Sequence, residues 1–139
     1  MIGASEIAGV LGGKEILGRE IRANYDLMAL IEEGIPKKSL RAILGDLGQE
    51  KKIYEIVPEG TYKKRKVVFK LEESERVERL ARVYATAIHV FNNKEAASTF
   101  MVSPHQLFEG RSPLNVSRTE RGARELEEML WQVYFGLPV

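Results

Sequence analysis

The sequence contains no cysteine and no long apolar run. Without cysteine there can be no disulfide framework, no thiolate metal site and no cysteine nucleophile. No segment approaches the roughly 18 consecutive apolar residues that indicate a membrane-spanning helix. The N-terminal segment from Met1 lacks the basic region and the apolar core of a signal peptide. These absences predict a cytoplasmic protein that makes no membrane contact.

Histidine is scarce, and no catalytic motif is present. His89 lies beside the apolar stripe of a predicted helix, where a structural or surface role is the expectation. His105 has no acidic or histidine neighbour at metal-ligand spacing. The glycine-rich segment Gly9–Lys14 is short for a phosphate-binding loop, and Glu15 follows the lysine where such a loop needs Ser or Thr. The sequence therefore predicts no catalytic residue, no metal and no cofactor.

Charge is nearly balanced over the whole chain but is unevenly distributed along it. The 139 residues carry a net charge of +1, and 44% of them are hydrophobic, which is typical of a globular protein. Residues 1–70 contain 13 Lys and Arg against 10 Asp and Glu, whereas residues 71–139 contain 8 against 10. Within residues 51–70 the ratio is 7 to 2. Such a block can supply the local phosphate attraction on which DNA binding depends.

Helix signals predominate over strand signals along the chain. The strongest predicted helix runs from Glu73 to Phe91, because seven apolar residues recur along it at helical spacing. Those residues are Val77, Leu80, Ala81, Tyr84, Ala87, Ile88 and Phe91. Further helix starts are predicted at Asn92, at Ser103-Pro104 and at Ser112-Pro113.

The last predicted helix begins at a Thr119 cap and ends at Gly136. Its apolar positions are Ala123, Leu126, Met129, Leu130, Val133 and Tyr134. The sequence thus predicts an all-α fold, a small helical bundle with short connections. A change in composition near residues 66–73 predicts an N-terminal region over 1–70 and a C-terminal helical domain over 71–139.

A helix-turn-helix is predicted within the N-terminal region. Residues 49–57 form a short helix, Pro58-Glu59-Gly60 interrupts it, and Thr61 caps a second helix that reaches Phe69. A basic run on a helix is also typical of a solvated face or of an import signal, but its position after a turn favours phosphate contact. The candidate DNA-binding residues are Thr61, Tyr62, Lys63, Lys64, Arg65 and Lys66.

Several motifs in a fixed order resemble one protein family. They are Glu73-Ser74-Glu75-Arg76, Arg79-Leu80-Ala81-Arg82-Val83, Phe91, Gly110-Arg111-Ser112-Pro113-Leu114, Thr119, Gly122-Ala123-Arg124 and Phe135-Gly136. Over roughly residues 25–139 the chain resembles the Xre/MbcA/ParS antitoxins, and the family's basic Thr-Leu-x-Arg-Arg element is matched from Thr61 to Arg65. Phe100, Glu109 and Asn115 depart from the Trp, Gly and Asp that the family commonly has at these positions.

The resemblance implies a non-enzymatic antitoxin of a bacterial toxin–antitoxin system. Its C-terminal domain would bind a RES-domain toxin, an enzyme that consumes NAD⁺, and cover the toxin's active-site entrance. Its Xre-like helix-turn-helix would repress its own operon by binding operator DNA. Because one helix-turn-helix usually reads a half-site, a homodimer is expected, within a larger complex with the toxin.

The toxin-binding residues that the resemblance implies lie mostly at the C-terminal end. They are Arg111, Trp131, Phe135, Gly136, Leu137, Pro138 and Val139. Trp131 and Phe135 are four residues apart on one helix face, as aromatic interface anchors often are, although core packing would also explain so apolar a tail. Two other functions compete: a stand-alone transcription regulator whose C-terminal helices dimerise, and a toxin-binding module whose helix-turn-helix has lost its DNA affinity.

Overall fold

Ten α-helices follow one another through residues 1–138, the part of the chain that this computed structural model describes. They are α1 Ala4–Val10, α2 Gly13–Leu17, α3 Asn24–Glu33, α4 Lys37–Asp46, α5 Ile53–Ile56, α6 Glu59–Lys64, α7 Leu71–Phe91, α8 Lys94–Val102, α9 Pro113–Val116 and α10 Glu120–Tyr134. Short 3₁₀ turns precede α5, at Glu50–Lys52, and α9, at Gln106–Phe108. Within these residues there is no β-strand, only two isolated bridges, so the predicted all-α fold is confirmed.

Helix α7 is the centre of the bundle. It packs against α1, α3 and α4 from the first half of the chain and against α8 and α10 from the second. Its predicted apolar stripe is buried from Val77 to Ala87, and buried residues from both halves of the chain form one hydrophobic cluster. The boundary predicted near residue 70 stays a prediction. No helix within residues 1–138 combines the length and apolarity needed to cross a membrane.

Both ends of α7 are marked by particular backbone or capping features. At its start, the Glu73 carboxylate accepts a hydrogen bond from the Lys70 amide at 3.1 Å, as in a capping box. At its end, Asn92 adopts a left-handed conformation with a φ of 49°. The cap of α8 is therefore Asn93, whose side chain accepts from the Ala96 amide at 2.9 Å, and the predicted Asn92 cap is wrong by one residue.

Helix α6 is shorter than the sequence predicted. It begins at Glu59 with Pro58 as its N-cap, so Thr61 lies inside the helix and does not cap it. It ends at Lys64 because the following segment pairs with residues 35–37 instead of continuing the helix. The Lys37 amide donates to the Val67 carbonyl at 2.9 Å, and the Phe69 amide donates to the Ile35 carbonyl at 2.8 Å.

Helix α10 begins and ends as the sequence predicted. The Thr119 hydroxyl accepts from the Gly122 amide at 3.0 Å. A Cβ at Gly122 would lie 2.0 Å from the Val116 carbonyl oxygen, so glycine allows this first turn to rest on the end of α9. At the other end, Gly136 has a φ of 71° and the Leu137 amide donates back to the Gln132 carbonyl at 2.8 Å. This bond pattern is that of a Schellman cap.

The apolar stripe of α10 leaves the core earlier than predicted. Ala123, Leu126 and Leu130 are fully buried, but Val133 and Tyr134 are about half exposed and are not core residues. The two helices α7 and α10 run in the same direction. Arg79, early in α7, forms an ion pair with Glu120 at the start of α10, and His89, late in α7, contacts Tyr134 at the end of α10. Because α7 ends two residues after His89, it covers the last turn of α10 only in part.

A partly buried ion network joins α7 to α10. The Arg82 guanidinium donates to Glu78 and to Glu120, each at 3.0 Å, and also to Glu127. Burial raises the pKa of Glu78 despite the attraction of Arg82. The network fixes the register of the two helices and therefore the position of the end of α10.

The loop between α8 and α9 contains one confirmed cap and one that is wrong. The Ser112 hydroxyl accepts from the Asn115 amide at 3.2 Å, and Pro113 is the first residue of α9. No α-helix starts at Ser103-Pro104; instead the His105 ring caps the short 3₁₀ turn by accepting from the Leu107 amide at 3.2 Å. Glu109, at the end of that turn, has a φ of 55°.

We expect Glu109→Gly to raise the free energy of unfolding by about 1 kcal/mol. A side chain in the left-handed conformation costs on the order of 1–2 kcal/mol, part of which the greater freedom of glycine in the unfolded chain offsets. Urea unfolding of the two proteins measures the difference. The control is Glu125→Gly on the exposed face of α10, which should lower stability by about 1 kcal/mol. An equal decrease in the free energy of unfolding at both positions would show that the turn at Glu109 is not strained.

Candidate functional site

Three lysines form an exposed basic face at the end of α6. Lys63 and Lys64 lie in the last turn of the helix, and Lys66 lies in the bend that follows it. All three side chains are exposed, and Lys63 pairs with Glu59 at 2.7 Å on the same helix. Lys63, Lys64 and Lys66 are hereafter called the basic face. They can contact phosphates without any rearrangement of the core.

Two of the predicted DNA-binding residues point toward the protein. Tyr62 is 9% exposed, so it packs inside the protein and does not stack at a groove edge. Its ring packs against Phe69 and Tyr54, with the Lys37 ammonium 3.9 Å from the ring centre. Thr61 is half-buried in the first turn of α6 and is not the N-cap.

Arg65 is engaged inside the protein. Its Nε donates to a Glu73 carboxylate oxygen at 2.6 Å, and both side chains are largely buried. Burial alone would raise the pKa of Glu73, but the hydrogen bonds from Arg65 and the Lys70 amide hold it below its ordinary value. Arg65 therefore anchors α6 to the start of α7 and is not placed as a free phosphate contact.

We expect Arg65→Ala to lower the free energy of unfolding by about 3 kcal/mol at neutral pH, because it leaves the Glu73 carboxylate buried without its partner. The folded-state pKa of Glu73 is depressed, so its contribution is present at neutral pH and is lost as pH falls through that pKa. The difference in the free energy of unfolding between wild type and variant should therefore become smaller below about pH 4. Urea unfolding at several pH values measures this, with Lys64→Ala, an exposed neighbour, as the control that should change little. A difference in the free energy of unfolding that does not depend on pH would contradict the pairing of Arg65 with Glu73.

The second candidate surface is the projecting end of α10. Trp131, Tyr134, Phe135 and Leu137 are hereafter called the aromatic end. Phe135 is 68% exposed and Leu137 is 55% exposed, while Trp131 is half-buried. So much exposed apolar surface in one place is typical of a binding site.

The rings of the aromatic end hold one another in place. Tyr134 packs edge-on against both Trp131 and Phe135, with ring centroids 5.4 Å and 5.1 Å apart. His89 of α7 supports the same group, at 5.4 Å from Trp131 and 5.2 Å from Tyr134, and its Nδ1 lies 3.6 Å from a Glu6 carboxylate oxygen. The contacts give His89 the structural role expected from the sequence, but its partners Trp131 and Tyr134 could not be predicted, because only the fold brings α7 and α10 together.

A surface groove of about 590 Å³ runs alongside the aromatic end. Its lining includes the apolar side chains of Trp131, Phe135, Leu137 and Met1, and charged groups of α10 such as Arg124 and Glu128. Apolar and charged groups together are the usual composition of a protein-binding surface.

The predicted toxin-binding residues do not form a single patch. Arg111 is exposed and donates to the Asn115 side chain at 2.6 Å, beside a pocket lined by Thr119 and Arg121 at the first turn of α10. The aromatic end lies at the last turn, on the order of 20 Å away along the helix. Gly136 caps the helix and Pro138 is exposed, while Val139 lies outside the described residues.

Two comparisons with known proteins bear on these surfaces. Residues 86–136 match the family model of the antitoxin Xre/MbcA/ParS C-terminal toxin-binding domain. The matched segment starts within α7 and includes most of the aromatic end. The chain is also similar to a curated protein named Antitoxin Xre from Pseudomonas putida, with 26% identity over 125 residues. That alignment covers 84% of this chain and 76% of the Pseudomonas protein.

Proposed function

This chain is an Xre/MbcA/ParS-type antitoxin and not an enzyme, and on that premise we propose that its toxin is a RES-domain enzyme that degrades NAD⁺. The antitoxin inhibits this enzyme by placing the aromatic end over the active-site entrance. It also represses its own operon through the basic face. It acts as a homodimer, and in a larger complex with the toxin, in the bacterial cytoplasm.

The observation that carries the proposal is the exposure of the aromatic end on a rigid support. Phe135 and Leu137 project beyond the last helical turn, which the Gly136 cap closes and the Arg82 network holds in register. Clustered aromatic side chains give an interface large contact area at little cost in conformational entropy. A plug for an active-site entrance needs this combination of projection and rigidity.

The basic face supports the DNA-binding part of the proposal. Its lysines follow a short helix and a tight turn, the layout in which the second helix faces DNA. Contact with phosphates would give strong dependence of the affinity on salt. Two such faces in a homodimer would meet two half-sites of an operator.

The alternative function is a stand-alone transcription regulator in which the aromatic end binds a second copy of this chain. Its support is the same exposed apolar surface, since dimer interfaces have apolar cores. The alternative needs no toxin. It predicts a dimer that is lost when the aromatic end is altered and a genome neighbourhood without a toxin gene.

Co-expression with the product of the adjacent reading frame separates the two functions. If the proposal is right, that product is a RES-domain protein, it co-purifies with this chain, and its NAD⁺ degradation is suppressed in the complex. Purification of this chain alone, with no effect on NAD⁺ consumption by the neighbouring product, would favour the stand-alone regulator.

A further inference from the structure

Side chains of α4 contact α6 at Tyr62. The Arg41 guanidinium donates to the Tyr62 hydroxyl at 3.2 Å. The Lys37 ammonium lies over the same ring and donates to the Arg65 carbonyl at 2.9 Å. Tyr62 therefore links the first turns of α4 to the helix that carries the basic face.

Two further cations stand on the outer side of α4. Lys38 and Arg41 are exposed and three residues apart, so they share one face of the helix. Within residues 1–138 neither of them has an ion-pair partner, whereas Lys63 and Arg65 do. The helix has no carboxylate before Asp46 at its far end, and Asp46 pairs with Lys94 at 2.9 Å.

The segment after α6 extends the same positive surface. Because the Val67 carbonyl accepts from the Lys37 amide, the chain that carries Lys66 runs alongside the start of α4. Lys38 and Arg41 on α4, Lys63 and Lys64 on α6, and Lys66 after α6 are thus carried by three segments that contact one another. Only the fold joins them, since more than 20 residues of sequence separate Arg41 from Lys63.

We propose that Lys38 and Arg41 form a second row of phosphate contacts, so that α4 and α6 together hold the backbone of duplex DNA. The inference deepens the proposed DNA binding and rests on it. Arg41 suits this position because one guanidinium nitrogen is held by Tyr62 while the others remain available, and an arginine fork matches the oxygens of a phosphate. Tyr62 is then a positioning residue for Arg41.

The test is the salt dependence of DNA binding by the full chain and by Lys38→Gln/Arg41→Gln. The probes are a duplex that covers the region upstream of this chain's own reading frame and an unrelated duplex of equal length. Loss of two phosphate contacts should make the log–log salt slope about 1.8 units shallower on both duplexes, because phosphate contacts are independent of sequence. The control, Arg118→Gln/Arg121→Gln, removes two exposed cations from the C-terminal half and should leave the slope unchanged.

A thermal melt checks that the variants fold. The single variant Lys38→Gln keeps the bond between Arg41 and Tyr62, and it should make the log–log salt slope about 0.9 units shallower. If the wild type binds and the α4 variants bind with the same slope, the second row is wrong while DNA binding by the basic face stands. The inference would also be overturned if Arg118→Gln/Arg121→Gln made the log–log salt slope as shallow as Lys38→Gln/Arg41→Gln does. If the wild type binds neither duplex, the DNA-binding part of the proposed function fails and the second row fails with it.

Discussion

Ending the chain after Tyr134 is expected to abolish neutralisation of the toxin while the helical fold survives. The removed residues begin with Phe135, which is 68% exposed, and include Leu137, so their loss opens no cavity in the core. The helix loses only its final capping bonds. Growth of cells that co-express the truncated chain with the neighbouring toxin measures neutralisation, and circular dichroism measures the fold.

Single substitutions distinguish the aromatic end from a general effect of truncation. Trp131→Ala should weaken toxin binding by about 2 kcal/mol, roughly thirtyfold in Kd, because a clustered aromatic anchor is a typical interface hot spot. The matched control is Tyr25→Ala, which removes an aromatic side chain that is 82% exposed on α3. The control should bind the toxin as the wild type does.

Two results would contradict the assignment of the aromatic end. Full protection by the truncated chain would place the toxin-binding surface elsewhere, and Arg111 at the other end of α10 would be the next residue to test. Loss of the cooperative melt on truncation would mean that the tail is part of the core.

The second large effect is expected at the basic face. Lys63→Gln, Lys64→Gln and Lys66→Gln together should make the log–log salt slope of DNA binding about 2.7 units shallower and reduce affinity sharply. Arg65 is kept in this variant because it holds Glu73, and its removal would lower stability as well as charge. Electrophoretic shift assays on the operon's own promoter at several salt concentrations measure the slope.

The control for the lysine variant removes three exposed cations elsewhere. Lys14→Gln, Arg118→Gln and Arg121→Gln change the net charge equally but lie outside the basic face. Toxin neutralisation should be intact in both variants. Equal losses of DNA affinity in both would show that net charge, and not the basic face, determines binding.

A helix could be predicted from the sequence where its pattern depends only on residues close to one another in the chain. The apolar stripe of α7 recurs from Val77 to Phe91 within a helix of 21 residues, and the caps at Ser112 and Thr119 depend only on neighbours three residues away. The end of α6 could not be predicted, because it is set by pairing with residues 35–37, which are remote in sequence. Patterns within a helix cannot report a competing partner from another segment.

The candidate surfaces were predictable as segments but not as sets of side chains. The basic run suggested four equivalent cations, yet Arg65 is held by Glu73. The helical period continued the stripe of α10 to Tyr134, yet α7 ends too early to cover it. Which side of a helix is covered depends on where the neighbouring helix stops, and this information is not local.

Helix α7 also sets a fixed spacing between the two surfaces. The basic face is tied to its start through Glu73, and the aromatic end rests on His89 near its finish. Sixteen residues of helix separate these attachment points by about 24 Å. Under the proposed function, a single antitoxin molecule would therefore meet DNA and toxin at opposite ends of α7. Occupancy by the toxin would then add bulk beside the DNA without requiring any change of shape in the antitoxin itself.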